Sequence, residues 1–116
     1  MIFMLTSEQR LSAIQRLGRA LSDPTRCRLL LALLEGPDYP AGLADRLGLT
    51  RQNVSNHLAC LRDCGLVRTQ ARGRQVSYAL VDASLVHALD DLLRVVWGTA
   101  QPHEPLTPAE EQSPAV

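Results

Sequence analysis

The chain has 116 residues, a length that fits a single domain. Apolar residues make up 46% and aromatics only 3%, so a core must be built from Leu, Val and Ala. A formal net charge of zero with 21% charged residues excludes both a disordered chain and a uniformly basic nucleic-acid binder.

The apolar opening, residues 1–5, lacks the basic lead-in of a signal peptide and runs directly into Thr6-Ser7-Glu8-Gln9. Thr6 or Ser7 caps a first helix, with Gln9 placed as a capping-box partner. Leu11, Ile14, Leu17, Gly18 and Leu21 then recur at helical spacing along one stripe. Asp23-Pro24 restarts the chain as N-cap and first helical residue. The helix that follows carries Leu29-Leu30-Leu31-Ala32-Leu33-Leu34, apolar nearly all round, and is expected to be the buried central one before Gly36-Pro37 stops it.

A short helix over 41–47 presents Leu43, Ala44 and Leu47 inward. Gly48-Leu49 turns the chain, and Thr50 caps a further helix running to about residue 64. Gly65 ends it. Residues 66–71 and 75–81 alternate as strands, with Arg72-Gly73 as the turn. Asp82 caps a last helix in which Leu85, Leu89, Leu92, Leu93 and Val96 share a face, with His87, Asp91 and Arg94 opposite. Beyond Gly98, four prolines interrupt any regular structure.

The order of elements, α-α-α-α-β-β-α, is that of a mainly α, winged helix-turn-helix domain over residues 5–97, followed by an acidic, proline-containing tail over 98–116. The apolar stripes of the first and last helices either pack on the central helix or join two copies. Two-fold pairing is the expected solution, making them dimerisation helices of a homodimer. No apolar stretch approaches the roughly 20 residues of a membrane helix. The odd set of Cys27, Cys60 and Cys64, without a secretory signal, suggests reduced thiols in a cytoplasmic protein.

The zero net charge hides a gradient. Residues 43–78 hold six arginines against two aspartates, a balance of +4, whereas residues 79–116 hold one arginine against six acidic residues, −5. A basic middle suits an anionic polymer. Within it, Arg51, Gln52, Asn53, Ser55, Asn56 and His57 open the helix after Thr50. Val54, Leu58 and Leu61 fall on the inward arc, and Gln52, Ser55, Asn56 and Ala59 project outward. Gln and Asn match adenine edges and Ser serves bases or phosphates. Arg72 and Arg74, at the hairpin, reach backbone or minor groove as a wing. Each feature alone is an ordinary polar surface; together, in this order, they point to double-stranded DNA.

Cys60 and Cys64 stand four apart on that same helix, about 5–6 Å apart at Cβ. As thiolates they can share a soft ion, though they provide only two of the three or four donors such an ion takes. As thiols they serve equally as small buried hydrophobes. Candidate third donors are His103 in the tail, within reach of this copy or its partner, and His57 on the helix itself. His87 reads as surface and Cys27 as packing. A reversible disulfide between Cys60 and Cys64 would give a thiol redox sensor, but helical geometry holds their Cα atoms near the upper limit for one. No Ser-His-Asp set, phosphate loop or carboxylate pair suggests an enzyme.

The runs Asp23-Pro24-Thr25-Arg26, Ser55-Asn56-His57-Leu58-Ala59-Cys60-Leu61, Gly65-Leu66-Val67 and Arg72-Gly73-Arg74-Gln75-Val76-Ser77-Tyr78-Ala79-Leu80 resemble the ArsR/SmtB metal-responsive repressors over about residues 5–97. The resemblance implies a dimer that represses an operator and releases it when metal binds. It also implies that Cys60 and Cys64 are ligands, since they stand where the family's cadmium and lead sensors place a cysteine pair. Those sensors add a third cysteine from the partner's tail; here the tail offers His103. Residues 41–44 contain no cysteine pair, and the last helix lacks the spaced ligands of the family's zinc sensors. The expected effector is a soft ion, cadmium, lead or zinc. The rival expectations are a redox-responsive repressor and a dimerisation module without specific DNA binding.

Overall fold

Thr6 starts the first helix, α1 (Ser7–Leu21), by a reciprocal cap. Its hydroxyl accepts from the Gln9 N–H at 3.1 Å while the Gln9 side chain accepts from the Thr6 N–H at 2.9 Å. The computed structural model describes residues 4–100, which divide into two compact units, one up to residue 86 and one from residue 87.

Asp23 caps α2 (Pro24–Leu34), accepting from the Arg26 N–H at 3.0 Å, with Pro24 in the first turn. Arg26 then reaches back. Its guanidinium donates to the carbonyls of Ala20 at 3.0 Å and Arg19 at 2.8 Å, satisfying the open end of α1 and fixing the α1–α2 corner.

The next pair, α3 (Pro40–Leu47) and α4 (Arg51–Asp63), is joined through Gly48, whose φ of +67° is the left-handed conformation that glycine adopts without strain. Thr50 caps α4 by accepting from the Asn53 N–H at 3.0 Å. At the far end, Cys64 remains in helical geometry, its N–H bonded to the Cys60 carbonyl at 3.0 Å. Gly65, with φ +80°, donates to Arg62 and Leu66 donates to Leu61, the paired bonds of a Schellman motif.

That motif corrects one sequence boundary. Leu66 finishes the helix cap, so the hairpin's first strand, β1, spans Val67–Arg72 and pairs antiparallel with β2 (Gln75–Leu80), in register from Val67↔Leu80 to Arg72↔Gln75. The turn also shifts by one residue from Arg72-Gly73. Arg72 is the last paired residue and the loop is Gly73-Arg74, with Gly73 at φ +64° in the first central position, the pattern of a type II′ turn. Asp38, between α2 and α3, exchanges backbone bonds with Tyr78 at 3.0 and 2.8 Å and so adds an isolated bridge to the hairpin. α5 (Ala83–Ala100) begins with Asp82 accepting from the Leu85 N–H at 3.0 Å and continues three residues past the expected end at 97.

The core of the first unit is aliphatic. Leu29, Leu30 and Leu33 of α2 meet Leu43 and Ala44 of α3, Val54, Leu58 and Leu61 of α4, and Val67 and Leu80 of the hairpin, all buried. Each fully buried Leu contributes roughly 1.5–3 kcal/mol of transfer free energy. α2 is not buried all round, as its composition suggested: Leu31 is 49% exposed and Arg28 is exposed. Leu47 is half-buried rather than core. Gly42 leaves room for the Asp38 carboxylate, which a Cβ there would strike. That carboxylate accepts from the Tyr39 N–H at 2.7 Å and from Arg46 at 2.8 Å, while Arg46 also pairs with Glu35.

Leu11 and Ile14 of α1 are exposed, Ile14 at 65%. In the second unit, Leu92, Leu93, Val96 and Trp97 of α5 are exposed, Trp97 at 67%.

Candidate nucleic-acid interface and metal centre

The helical repeat divides α4 into two surfaces. Val54, Leu58 and Leu61 are fully buried, and this anchors the helix against α2 and α3. Opposite them Arg51, Gln52, Ser55 and Asn56 are exposed, while Asn53 and His57 are half-buried at the margins and Ala59, expected outward, is half-buried as well. The outward set is therefore displayed by packing, at the N-terminal end that a recognition helix presents to base edges.

Within that set the Gln52 Nε2 donates to the Asn56 Oδ1 at 3.0 Å, one turn along the helix. Their spacing of four in the sequence is the signal for this pairing. His57 turns elsewhere. Its Nδ1 lies 3.7 Å from Oδ2 of Asp23, the N-cap of α2. The Asp23 carboxyl is held below its ordinary range, chiefly by the hydrogen bond from the Arg26 N–H, against a smaller opposing effect of burial. His57 thus lies beside the N-cap of α2 and away from the outward amides.

Positive charge flanks this surface. Arg51 and Arg62 on α4, Arg68 and Arg72 on β1, and Arg74 in the loop are exposed. No ion pair among the described residues engages any of the five. Arg46, by contrast, is neutralised by Asp38 and Glu35. Its guanidinium is held above its usual range chiefly by the hydrogen bond to Asp38. The basic middle of the sequence therefore resolves into one committed structural arginine and a group available to phosphates.

Cys60 and Cys64 are free and half-buried at the other end of α4. The 64-to-60 backbone bond keeps both in α-helical register although Cys64 is the cap, so their side chains lie on adjacent turns of one side. Two sulfurs so placed fit a soft ion's preference for thiolates but leave its coordination incomplete. Among the described residues, no group of three His, Cys, Asp or Glu side chains is placed to hold a metal ion. His103 lies outside the described residues. Cys27 is half-buried, its thiol donating to the Leu21 carbonyl at 3.0 Å, a packing role.

A two-helix turn unit whose second helix is displayed beside an arginine-tipped hairpin is a winged helix-turn-helix, the architecture of transcription regulators. The chain belongs to the ArsR family of bacterial regulatory proteins: residues 23–69 match that family's profile. It is 64% identical over 93 residues to the HTH-type transcriptional regulator CmtR of Mycobacterium tuberculosis, spanning 80% of this chain and 79% of that protein. The NMR structure of the cadmium metal-sensor CmtR from Mycobacterium tuberculosis matches with a TM-score of 0.62 at 56% identity, over 81% of this chain and 98% of that one. The homodimeric winged helix-turn-helix DNA-binding domain Mb0332 from Mycobacterium bovis matches in fold, with a TM-score of 0.71 at 21% identity over 88% of this chain and 98% of that one. These relatives are transcriptional regulators and not enzymes. No helix among the described residues is long and apolar enough to cross a membrane.

Proposed function

We infer that this protein is a cytoplasmic, metal-responsive transcriptional repressor that binds operator DNA as a homodimer and leaves it when a soft ion binds, cadmium foremost, with lead and zinc as the other candidates. The observation that carries this reading is the placement of two free thiols one turn apart on the helix that displays Gln52, Ser55 and Asn56. Similarity to a protein described as a cadmium metal-sensor supports the choice of ion.

Arg51, Arg72 and Arg74 neutralise phosphates and set the register, while Gln52, Ser55 and Asn56 meet base edges. Asn53 and His57 hold the flanks of the helix. The exposed apolar residues of α1 and those of α5 each gain cover from a second copy, and two-fold pairing presents two recognition helices to a palindromic site. Cys60 and Cys64 supply thiolates to the ion, and His103 completes the site from the tail of this chain or its partner. Tying the end of α4 to another segment holds the helix in a pose less suited to the groove. By linkage, DNA lowers ion affinity by the same factor that the ion lowers DNA affinity, about 1–3 kcal/mol for typical regulatory coupling.

The test is operator binding with and without cadmium. Cys60→Ser and Cys64→Ser should bind DNA as the parent does, yet fail to dissociate on adding cadmium and lose the thiolate-to-cadmium absorption. Truncation after Gly98 should preserve DNA binding and weaken the response. Normal cadmium release by either serine variant would refute the thiol assignment, and an unchanged response in the truncated protein would remove His103.

A further inference from the structure

Past Ser77 the hairpin leaves the body of the protein: residues 68–72 and 75–76 are all exposed, and Arg72 and Arg74 stand at the free end. Its direction is set at the root. There Val67, Ser77 and Leu80 are buried, and the segment between α2 and α3 grips β2, with Asp38 exchanging backbone bonds with Tyr78 at 3.0 and 2.8 Å. Asp38 is itself held from α3. Its Oδ2 accepts from Nη1 of Arg46 at 2.8 Å, while its Oδ1 accepts from the Tyr39 N–H at 2.7 Å. The carboxylate side chain is only 20% exposed, in space that Gly42 leaves open. Asp38 therefore joins the strand leading to the tip, through its backbone, to the helix that packs against α4, through its carboxylate.

We propose that Asp38 is a positioning residue that aims the hairpin arginines at the DNA backbone without touching DNA itself, with Arg46 as its anchor on α3. This rests on the DNA-binding role inferred above. Arg74 lies four residues from Tyr78, roughly 13 Å of extended strand. A tilt of about 10° at the root swings the tip by roughly 2 Å, more than the distance range of a charge-assisted hydrogen bond to a phosphate allows. A small loosening at the carboxylate is thus magnified where the contact is made. Arg46 is committed to this anchor, its charge met by Asp38 and Glu35.

Aiming and simple charge predict opposite signs. Neutralising an acidic residue in a DNA-binding protein lowers repulsion, and here it would also free Arg46, so charge alone predicts tighter binding. Loss of aim predicts weaker binding. Asp38→Asn separates the two: its oxygen still accepts from the Tyr39 N–H, but its amide nitrogen cannot accept from Arg46. It should weaken binding about three- to tenfold. The salt dependence should flatten by about one phosphate contact per copy. In a protein already carrying Arg72→Ala and Arg74→Ala, the same substitution should cost nothing, because no contact is left to misdirect. A general loss of stability has no such dependence on the hairpin arginines.

The experiment measures the affinity of the full-length protein for a duplex that it enriches from a random-sequence DNA pool, across a range of salt concentrations. Asp38→Asn and Arg46→Ala are compared with the parent, alone and combined with Arg72→Ala and Arg74→Ala, and circular dichroism establishes that each is folded. Arg46→Ala breaks the tie from its other end and should lose more affinity in the parent than in the double-alanine background. It decides the question if Asp38→Asn does not fold. Weaker binding by Asp38→Asn in the parent, with no loss in the double-alanine background, supports the aiming role. Unchanged or tighter binding in the parent, or an equal loss in both backgrounds, overturns it and leaves the DNA-binding role standing. If the parent enriches no duplex, the DNA-binding role falls and the aiming role with it.

Discussion

Gly42 illustrates how a single residue is fixed by a contact that its local sequence does not announce. It lies within α3, where alanine would ordinarily be preferred by about 0.8–1 kcal/mol. Here a Cβ would strike the Asp38 carboxylate, which Arg46 and the Tyr39 N–H hold in place. Overpacking of this kind costs about 1–3 kcal/mol, enough to outweigh the helical gain. Gly42→Ala should therefore destabilise the parent in urea unfolding, yet stabilise a protein already carrying Asp38→Ala. A destabilising effect of equal size in both backgrounds would show that the carboxylate is not the obstacle. The His57–Asp23 pair is of the same kind, joining residues 34 apart in sequence, and becomes visible only once α2 and α4 pack.

At the scale of elements, the caps were legible because each is a short-range pattern. Thr6 with Gln9, Asp23 with Pro24, and Thr50 ahead of α4 all behave as their residue types dictate. The inward arc of α4 followed from spacing alone, as did the juxtaposition of Cys60 and Cys64. Where the signal was not periodic, the reading fell short. A run of six apolar residues in α2 carries no indication of which side is free, so the exposure of Leu31 was hidden. The one-residue Asp38–Tyr78 bridge has no alternation to reveal it. Leu66 looked like strand because it is apolar and precedes alternating residues, but its N–H belongs to the helix cap. That cap has a measurable consequence. Gly65 has φ +80° with open space around its Cα, so the cost of alanine there is purely conformational, about 1–2 kcal/mol. Gly65→Ala should lower the urea midpoint by a corresponding amount. By loosening the turn that carries Cys64, it should also weaken cadmium binding while leaving Cys27 chemistry unaltered. Unchanged cadmium affinity in a destabilised variant would separate the cap from the thiol pair.

For the whole molecule, zero net charge is misleading, because residues 43–78 carry a balance of +4, with exposed arginines on α4 and the hairpin, while the last 38 residues carry the acidic excess. The proposed dimer places its own demand on α5. Leu93→Glu, adding a charge to an exposed apolar face, should shift sedimentation toward the monomer and reduce operator affinity. Trp97 is the chain's single tryptophan and is exposed in one copy, so its emission should move to shorter wavelength as protein concentration rises. A monomer at all concentrations in the parent would refute the pairing. The length of α4 has a temporal consequence. Gln52 and Cys64 are twelve residues apart, about 18 Å along the helix axis. In the proposed mechanism, an ion held at the far end does not occupy the groove-facing surface, so protein, DNA and ion can coexist in a ternary complex. Release then proceeds from the bound state by faster departure, and the time needed to clear an operator shortens with rising ion concentration instead of being fixed by the unassisted residence time.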